Sequence, residues 1–186
     1  MTAPYLAPVV DDAPSADARG RLESVRARYG FVPNLFRVFA NAPAAIDAYV
    51  AVADAFGRTS LSATERNLIL LAVSRANACH YCVAVHSTVA DMQHDDAETT
   101  ARLRDGRPLD DPRLEALRRL AEAMTRTRGH ADAEVAAFLA VGYTPRQLLE
   151  VLVGVTLKTL SNYANHLALT PVDAAFAARA WSGEAR

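Results

Sequence analysis

Residues 61–87 read LSATERNLILLAVSRANACHYCVAVHS and hold both cysteines of the chain, Cys79 and Cys82, with His86 four positions beyond the second. The stretch opens with Ser62 and Glu65 in the S-x-x-E arrangement, where a hydroxyl and a carboxylate satisfy each other's backbone N–H groups at a helix start. Leu68, Leu71, Ala72 and Arg75 then keep helical spacing, which predicts a helix to about Asn77. A second helix is expected from roughly Cys79 to Asp91. On it, an advance of about 100° per residue puts Cys79, Cys82 and His86 within a stripe about 60° wide. Two sulfurs and an imidazole therefore share one face. Whether they form a redox dithiol, part of a metal site or inert core thiols decides the chemistry.

Working outward, the chain reads as all-α. Alanine is abundant, alternating runs of β-branched residues are nearly absent, and apolar residues recur at three and four through long segments. Residues 1–14, with three prolines and paired aspartates, read as an extended arm ahead of one helical domain over 15–186. Ser15 can cap a first helix that Gly30 stops after Tyr29, and GFVPNLF (30–36) reads as a turn with an apolar rim. Pro43 opens a second helix closed by Gly57. Beyond the cysteines, a short helix is expected near 95–104, followed by helices near 112–128 and 132–140. Pro145 starts a long apolar helix ended by Thr170-Pro171, and PVDAAFAARAW (171–181) reads as a terminal helix.

At 186 residues the chain can build a core without disulfide staples. A formal net charge of −1 gives neither the basic footprint that nucleic acid requires nor a solvating acidic tail. The N-terminal stretch lacks a basic region and apolar run of secretory type, and no segment approaches the ~18 apolar residues of a membrane span. The expectation is a cytoplasmic protein with no nucleic-acid or membrane partner. In a reducing compartment a lone C-x-x-C pair points to catalysis, redox exchange or metal binding rather than to a permanent staple.

The i,i+4 spacing places the His86 imidazole one turn above the Cys82 sulfur, in reach to take its proton directly or through one water. Cys82 is thereby the candidate thiolate. Lowering a thiol from about 8.5 to about 6 raises its ionised fraction at pH 7 from about 3% to about 90%. Cys79 is placed to resolve an oxidised Cys82: peroxide gives a sulfenic acid, Cys79 attacks it, and a 79–82 disulfide forms that a dithiol can reduce. A structural zinc site usually needs four ligands, and beyond these three only His80, His94 or His166 could contribute, by contacts the sequence does not specify. Buried inert thiols are the other alternative. A thioredoxin-like reading fails because that fold needs strands around its motif.

The same 27-residue stretch resembles the core motif of the alkylhydroperoxidase D-like proteins of the carboxymuconolactone decarboxylase superfamily, in which C-x-x-C-x-x-x-H follows a helix ending in an Asn-small-Cys turn. YGFVPNLFRVFANAP (29–43) and LKTLSNYANHLALTPVD (157–173) are similar to segments of the branch called peroxidase-related, extending the likeness over residues 22–175. The resemblance implies an all-helical fold, a homo-oligomer (dimer, trimer or hexamer), and reduction of small hydroperoxides through the two cysteines, the second reacting first. It implies a dithiol reductant or redox protein as electron donor, and no cofactor or metal. Decarboxylase-type members generally lack the cysteine pair, so its presence favours the redox branch. A decarboxylase-like lyase and a non-enzymatic redox sensor are the competing functions.

One position departs from the pattern. The family's proton-relay carboxylate sits twelve residues before the first cysteine, where this chain has Asn67. Glu65 lies two positions earlier and about 200° round the helix, better suited to capping than to catalysis. An amide can orient an imidazole or hold a water but carries no charge to support an imidazolium. On the long helix Lys158, Asn162 and His166 recur every four residues as a polar stripe, and Asn162 or His166 could replace the missing carboxylate if that helix packs over the cysteines. Tyr81 could rim the pocket, His80 is expected in solvent, and Trp181 is expected to anchor the terminal helix.

Overall fold

The structure, a computed structural model, describes residues 5–8 and 15–183. Nine α-helices and one 3-10 helix account for the regular structure among these, with no strand. Local signals set most boundaries. α1 (Ala16–Tyr29) starts where the Ser15 side chain accepts from Ala18 N–H and stops at Gly30, whose φ of 81° is the left-handed turn that glycine adopts freely. α2 (Asn34–Phe39) occupies the expected turn. Its N–H at Asn34 donates to the Asp173 carboxylate, 139 positions away, so a distant residue caps it where no local one does. α3 (Pro43–Gly57) has proline in its first turn.

α4 (Ala63–Ala76) carries both halves of the Ser62–Glu65 capping box, and α5 (His80–Met92) follows after only three residues. α6 (Ala97–Asp105), α7 (Pro112–Thr127) and α8 (Asp132–Ala140) form the middle of the chain, and α9 (Pro145–Ala168) is its longest helix at 24 residues. The expected terminal α-helix is instead a 3-10 helix, Ala174–Arg179, with no buried residue. At its end Arg104 donates to the carbonyls of Arg179 and Ala180, holding the segment onto α6. Trp181 anchors this end, its Nε1 donating to Arg104 O at 3.2 Å. Of the expected N-terminal arm, Tyr5 N–H donates to Leu167 O and Asn41 donates to Ala7 O; residues 1–4 and 9–14 lie outside the described residues.

α4 is the hub, packed against α5, α6, α7 and α9. Leu68, Ile69, Leu71, Ala72 and Val73 from α4 meet Leu117 and Leu120 of α7 and Val151 and Leu157 of α9 in one apolar cluster. A second cluster joins α1, α2 and the start of α3 to Cys79, Tyr81 and Cys82, with Ala164 and Ala168 of α9 closing it. α9 thus crosses both. Two buried arginines, Arg75 and Arg118, share Glu122 at 3.6 and 2.9 Å and tie α4 to α7 by charge-assisted bonds. The outer side of α9 exposes Leu152, Tyr163 and Leu167 along an apolar groove of about 890 Å³. No helix among the described residues is long and apolar enough to cross a membrane.

Close approach of α9 to its neighbours depends on Gly154, where a Cβ would stand 2.9 Å from both Ile69 Cγ2 and Phe56 Cζ. Gly154→Ala should therefore destabilise the fold by about 1–2 kcal/mol, overpacking of about 1–3 kcal/mol exceeding a helix-propensity gain of about 0.5–1 kcal/mol. A fall in the chemical-denaturation midpoint checks this; a rise would mean that the helices separate at no cost.

Candidate active site

The turn between α4 and α5 builds the site. Cys79 N–H donates to Ser74 O and Ala78 N–H to Arg75 O, the paired bonds of a Schellman ending, with Ala78 at φ 52° where glycine is usual. A left-handed alanine carries about 1–2 kcal/mol of strain, and the surrounding hydrogen bonds hold it there. Cys79 is consequently the N-cap of α5, one residue outside the helix expected to begin with it, and its sulfur accepts from Cys82 N–H at 3.4 Å. Both thiols are free and each is 1% exposed. They sit at a helix N-terminus, where the backbone dipole favours negative charge.

α9 supplies the side chains above the sulfurs. Asn165 Nδ2 donates to Cys82 Sγ at 3.2 Å and lies 3.8 Å from Cys79 Sγ. Asn162 is fully buried and its Oδ1 accepts from Asn77 Nδ2 at 2.9 Å, fastening α9 to the residue that ends α4. Lys158, 2% exposed, extends its Nζ to within 3.0 Å of His86 Nε2. On the other side of the ring, His86 Nδ1 meets Asn67 Oδ1 at 3.1 Å, and Asn67 Nδ2 donates back to His86 O at 3.1 Å.

This bonding assigns the tautomer. A lysine Nζ in its charged form only donates, so His86 Nε2 must accept and Nδ1 must carry the hydrogen, which Asn67 Oδ1 receives. Burial, reinforced by the adjacent Lys158 charge, holds the imidazole well below its usual range, so the ring is neutral near pH 7. The expected Cys82–His86 hydrogen bond is not formed among the described residues. Lys158 occupies the ring nitrogen that was to have faced the sulfur.

The two thiols are driven apart in acidity. Burial pushes the Cys82 thiol up, but the hydrogen bond from Cys79, the Lys158 charge and the amides of Asn165 and Asn162 outweigh it and lower the group to about 5. Cys79 is pushed far up, by burial first and then by the charge held on Cys82. The pair therefore loses its first proton far more readily than its second, and the Asn165 amide bond favours the charge on Cys82.

Other residues named from the sequence fall elsewhere. Glu65 completes the capping box and also accepts from Tyr143 Oη at 2.8 Å and pairs with Arg113 at 3.3 Å, away from the sulfurs. Tyr81 Oη donates to Asp173 at 2.7 Å, pinning the C-terminal segment rather than rimming a pocket. His80 is exposed as expected, yet its Nδ1 lies 2.8 Å from Trp181 O and its ring 5.2 Å from the indole. His166 is exposed beside Tyr163 and cannot stand in for a carboxylate. Sequence reasoning missed Asn165. Along α9, Asn165 is about 20° from Lys158 in projection and His166 about 80°, so i,i+4,i+7 spacing identifies the buried face where i,i+4,i+8 does not.

The carboxymuconolactone decarboxylase family model matches residues 40–123. No curated protein matches the chain significantly. Among solved structures, a peroxidase-related protein with an alkylhydroperoxidase AhpD core from Ralstonia eutropha JMP134 superposes with a TM-score of 0.78 at 23% identity, covering 95% of each chain. A peroxidase-related protein from Silicibacter sp. TM1040 gives 0.76 at 22% identity over the whole of both chains. The debrominase Bmp8 gives 0.77 at 16% identity, covering 94% of this chain and 95% of its own. Over residues 40–123 the chain is similar to the carboxymuconolactone decarboxylase family, and its helical fold is that of the AhpD core, with the C-x-x-C turn at the start of α5.

Proposed function

We propose that this protein is a thiol-dependent peroxidase that reduces small hydroperoxides through a Cys79–Cys82 dithiol–disulfide cycle. The observation that carries the reading is the setting of the pair: both sulfurs are buried at the start of α5, with Asn165 Nδ2 donating to Cys82 Sγ at 3.2 Å and the Lys158 charge helping to lower that thiol to about 5. Cys82 Sγ attacks the terminal oxygen of R–O–O–H, forming the S–O bond as the O–O bond breaks, and the alcohol leaves after taking up a proton. The Cys79 thiol then displaces water from the Cys82 sulfenic acid, and an external dithiol reduces the resulting disulfide.

In this mechanism the Lys158 charge stabilises the thiolate, and His86 is a positioning residue that holds Lys158 through Nε2 rather than the base that deprotonates Cys82. Asn67 fixes the ring that does so. The burial of both sulfurs favours small peroxides over bulky ones. The donor is a dithiol reductant or redox protein. The assembly is a homo-oligomer, for which exposed Leu152, Tyr163 and Leu167 on α9 offer an apolar face. A lyase of this superfamily would have no use for a polarised thiol pair, and a sensor would oxidise once without turning over.

Alkylation by iodoacetamide reports the thiolate directly. Its rate at Cys82 should stay level through neutral pH and fall only as the pH drops through about 5, because protonation removes the nucleophile. Lys158→Met should move that inflection up by about 1–3 units, the usual effect of losing a nearby opposite charge. An unmoved inflection would exclude Lys158 from the electrostatics of the sulfur.

Thiol titration with one equivalent of hydroperoxide tests the cycle. The wild type should lose both thiols per chain and turn over when a dithiol is supplied. In Cys82→Ser, Cys79 should remain largely unreacted, and equally fast loss would reverse the two roles. Turnover of a lactone by a chain lacking both cysteines would favour the lyase.

A further inference from the structure

Two amides at the thiolate have each used only half of their hydrogen-bonding capacity. Asn165 donates to the sulfurs through Nδ2, but its Oδ1 has no partner among the described residues; Asn162 accepts from Asn77 through Oδ1, while its Nδ2 lies on the Cys82 side and makes no hydrogen bond of sound geometry. Both residues are at least nine-tenths buried, at 4% and 0% exposure. Leaving a buried polar group unpaired is disfavoured, and most such groups in proteins have a partner. The two lie three residues apart on one face of α9, over the same cysteine pair. One lacks a donor and the other lacks an acceptor.

From this pairing we propose that Asn162 and Asn165 form the peroxide subsite of the protein, Asn165 Oδ1 accepting the O–H of a hydroperoxide while Asn162 Nδ2 donates to a peroxide oxygen. The inference rests on the peroxidase reading and deepens it by naming the feature recognised: a free O–H on the attacked oxygen, as in hydrogen peroxide or an alkyl hydroperoxide, and as a dialkyl peroxide lacks. The contacts serve the reaction as well as binding. Cys82 S⁻ attacks the hydroxyl oxygen, the S–O bond forms and the O–O bond breaks, and the departing electron pair remains on RO⁻, which takes a proton from water. Sulfur is oxidised by two electrons and the peroxide reduced. The hydrogen stays on what is now Cys82–S–O–H, so Asn165 Oδ1 keeps its donor through the step. Asn162 Nδ2 faces oxygen on which charge develops, the situation in which a fixed donor is worth most.

The test compares two reagents on the same sulfur. The second-order rate constant of Cys82 with tert-butyl hydroperoxide is divided by that with iodoacetamide, which reads thiolate content and access but carries no peroxide. Asn162→Leu should lower this ratio about 100-fold, the usual effect of removing one such donor. Asn162→Ser, which retains an oxygen for Asn77, should give a loss in the same direction and serves if the leucine variant does not fold. A ratio unchanged in a folded variant, or both rate constants falling together, would overturn the subsite and leave Asn162 as a structural tie. A wild-type chain that reacts with iodoacetamide but not with peroxide would instead defeat the peroxidase reading itself.

Discussion

A buried cation needs a counter-charge, and Lys158 has no carboxylate within ion-pair distance among the described residues; the partner of its Nζ is a neutral imidazole. Isolated charges in an apolar interior are strongly disfavoured. The nearby group able to become an anion is the Cys82 thiol, so the raised acidity of that sulfur and the burial of Lys158 are two sides of one interaction. Removing either leaves the other uncompensated. The neutral state of His86 belongs to the same arrangement, because an imidazolium 3.0 Å from an ammonium would add a second positive charge.

Asn67 acquires a physical meaning in this setting. A carboxylate there would favour protonation of His86 and would compete with the thiolate for the positive charge of Lys158. The amide instead accepts from Nδ1–H and donates to the backbone of the same residue, fixing the ring without contributing charge. The amide at position 67 and the buried lysine therefore fit together: the Lys158 charge helps to lower the Cys82 thiol, and Asn67 holds the neutral ring that meets Lys158.

Much of the fold was legible because its signals are local. Ser15, the Ser62–Glu65 box and the prolines at 43, 112 and 145 mark helix starts by capping chemistry that involves only a few neighbouring residues. α2 was not legible, since its cap is Asp173 from the far end of the chain. The placement of the 3-10 ending was hidden for a similar reason, since Arg104 holds it from about 75 positions away. In the site, the closeness of the two cysteines follows from their C-x-x-C spacing at a helix start, whereas the expected Cys82–His86 bond does not form. The partner that the imidazole takes instead was not legible, because Lys158 arrives from 72 positions away.

α9 brings these distant parts together because its buried face changes character along its length. The first half is apolar and closely fitted, with Gly154 admitting Ile69 and Phe56 and Val151 and Leu157 entering the main core. The second half carries Lys158, Asn162 and Asn165 over the cysteine turn, each buried and each anchored to α5 or to the residue that ends α4. A shift of the helix along its axis by even one residue, about 1.5 Å, would break all three anchors at once. The tight packing at Gly154 fixes that axial position, so the rigidity of an apolar contact sets the distances on which the polar chemistry depends.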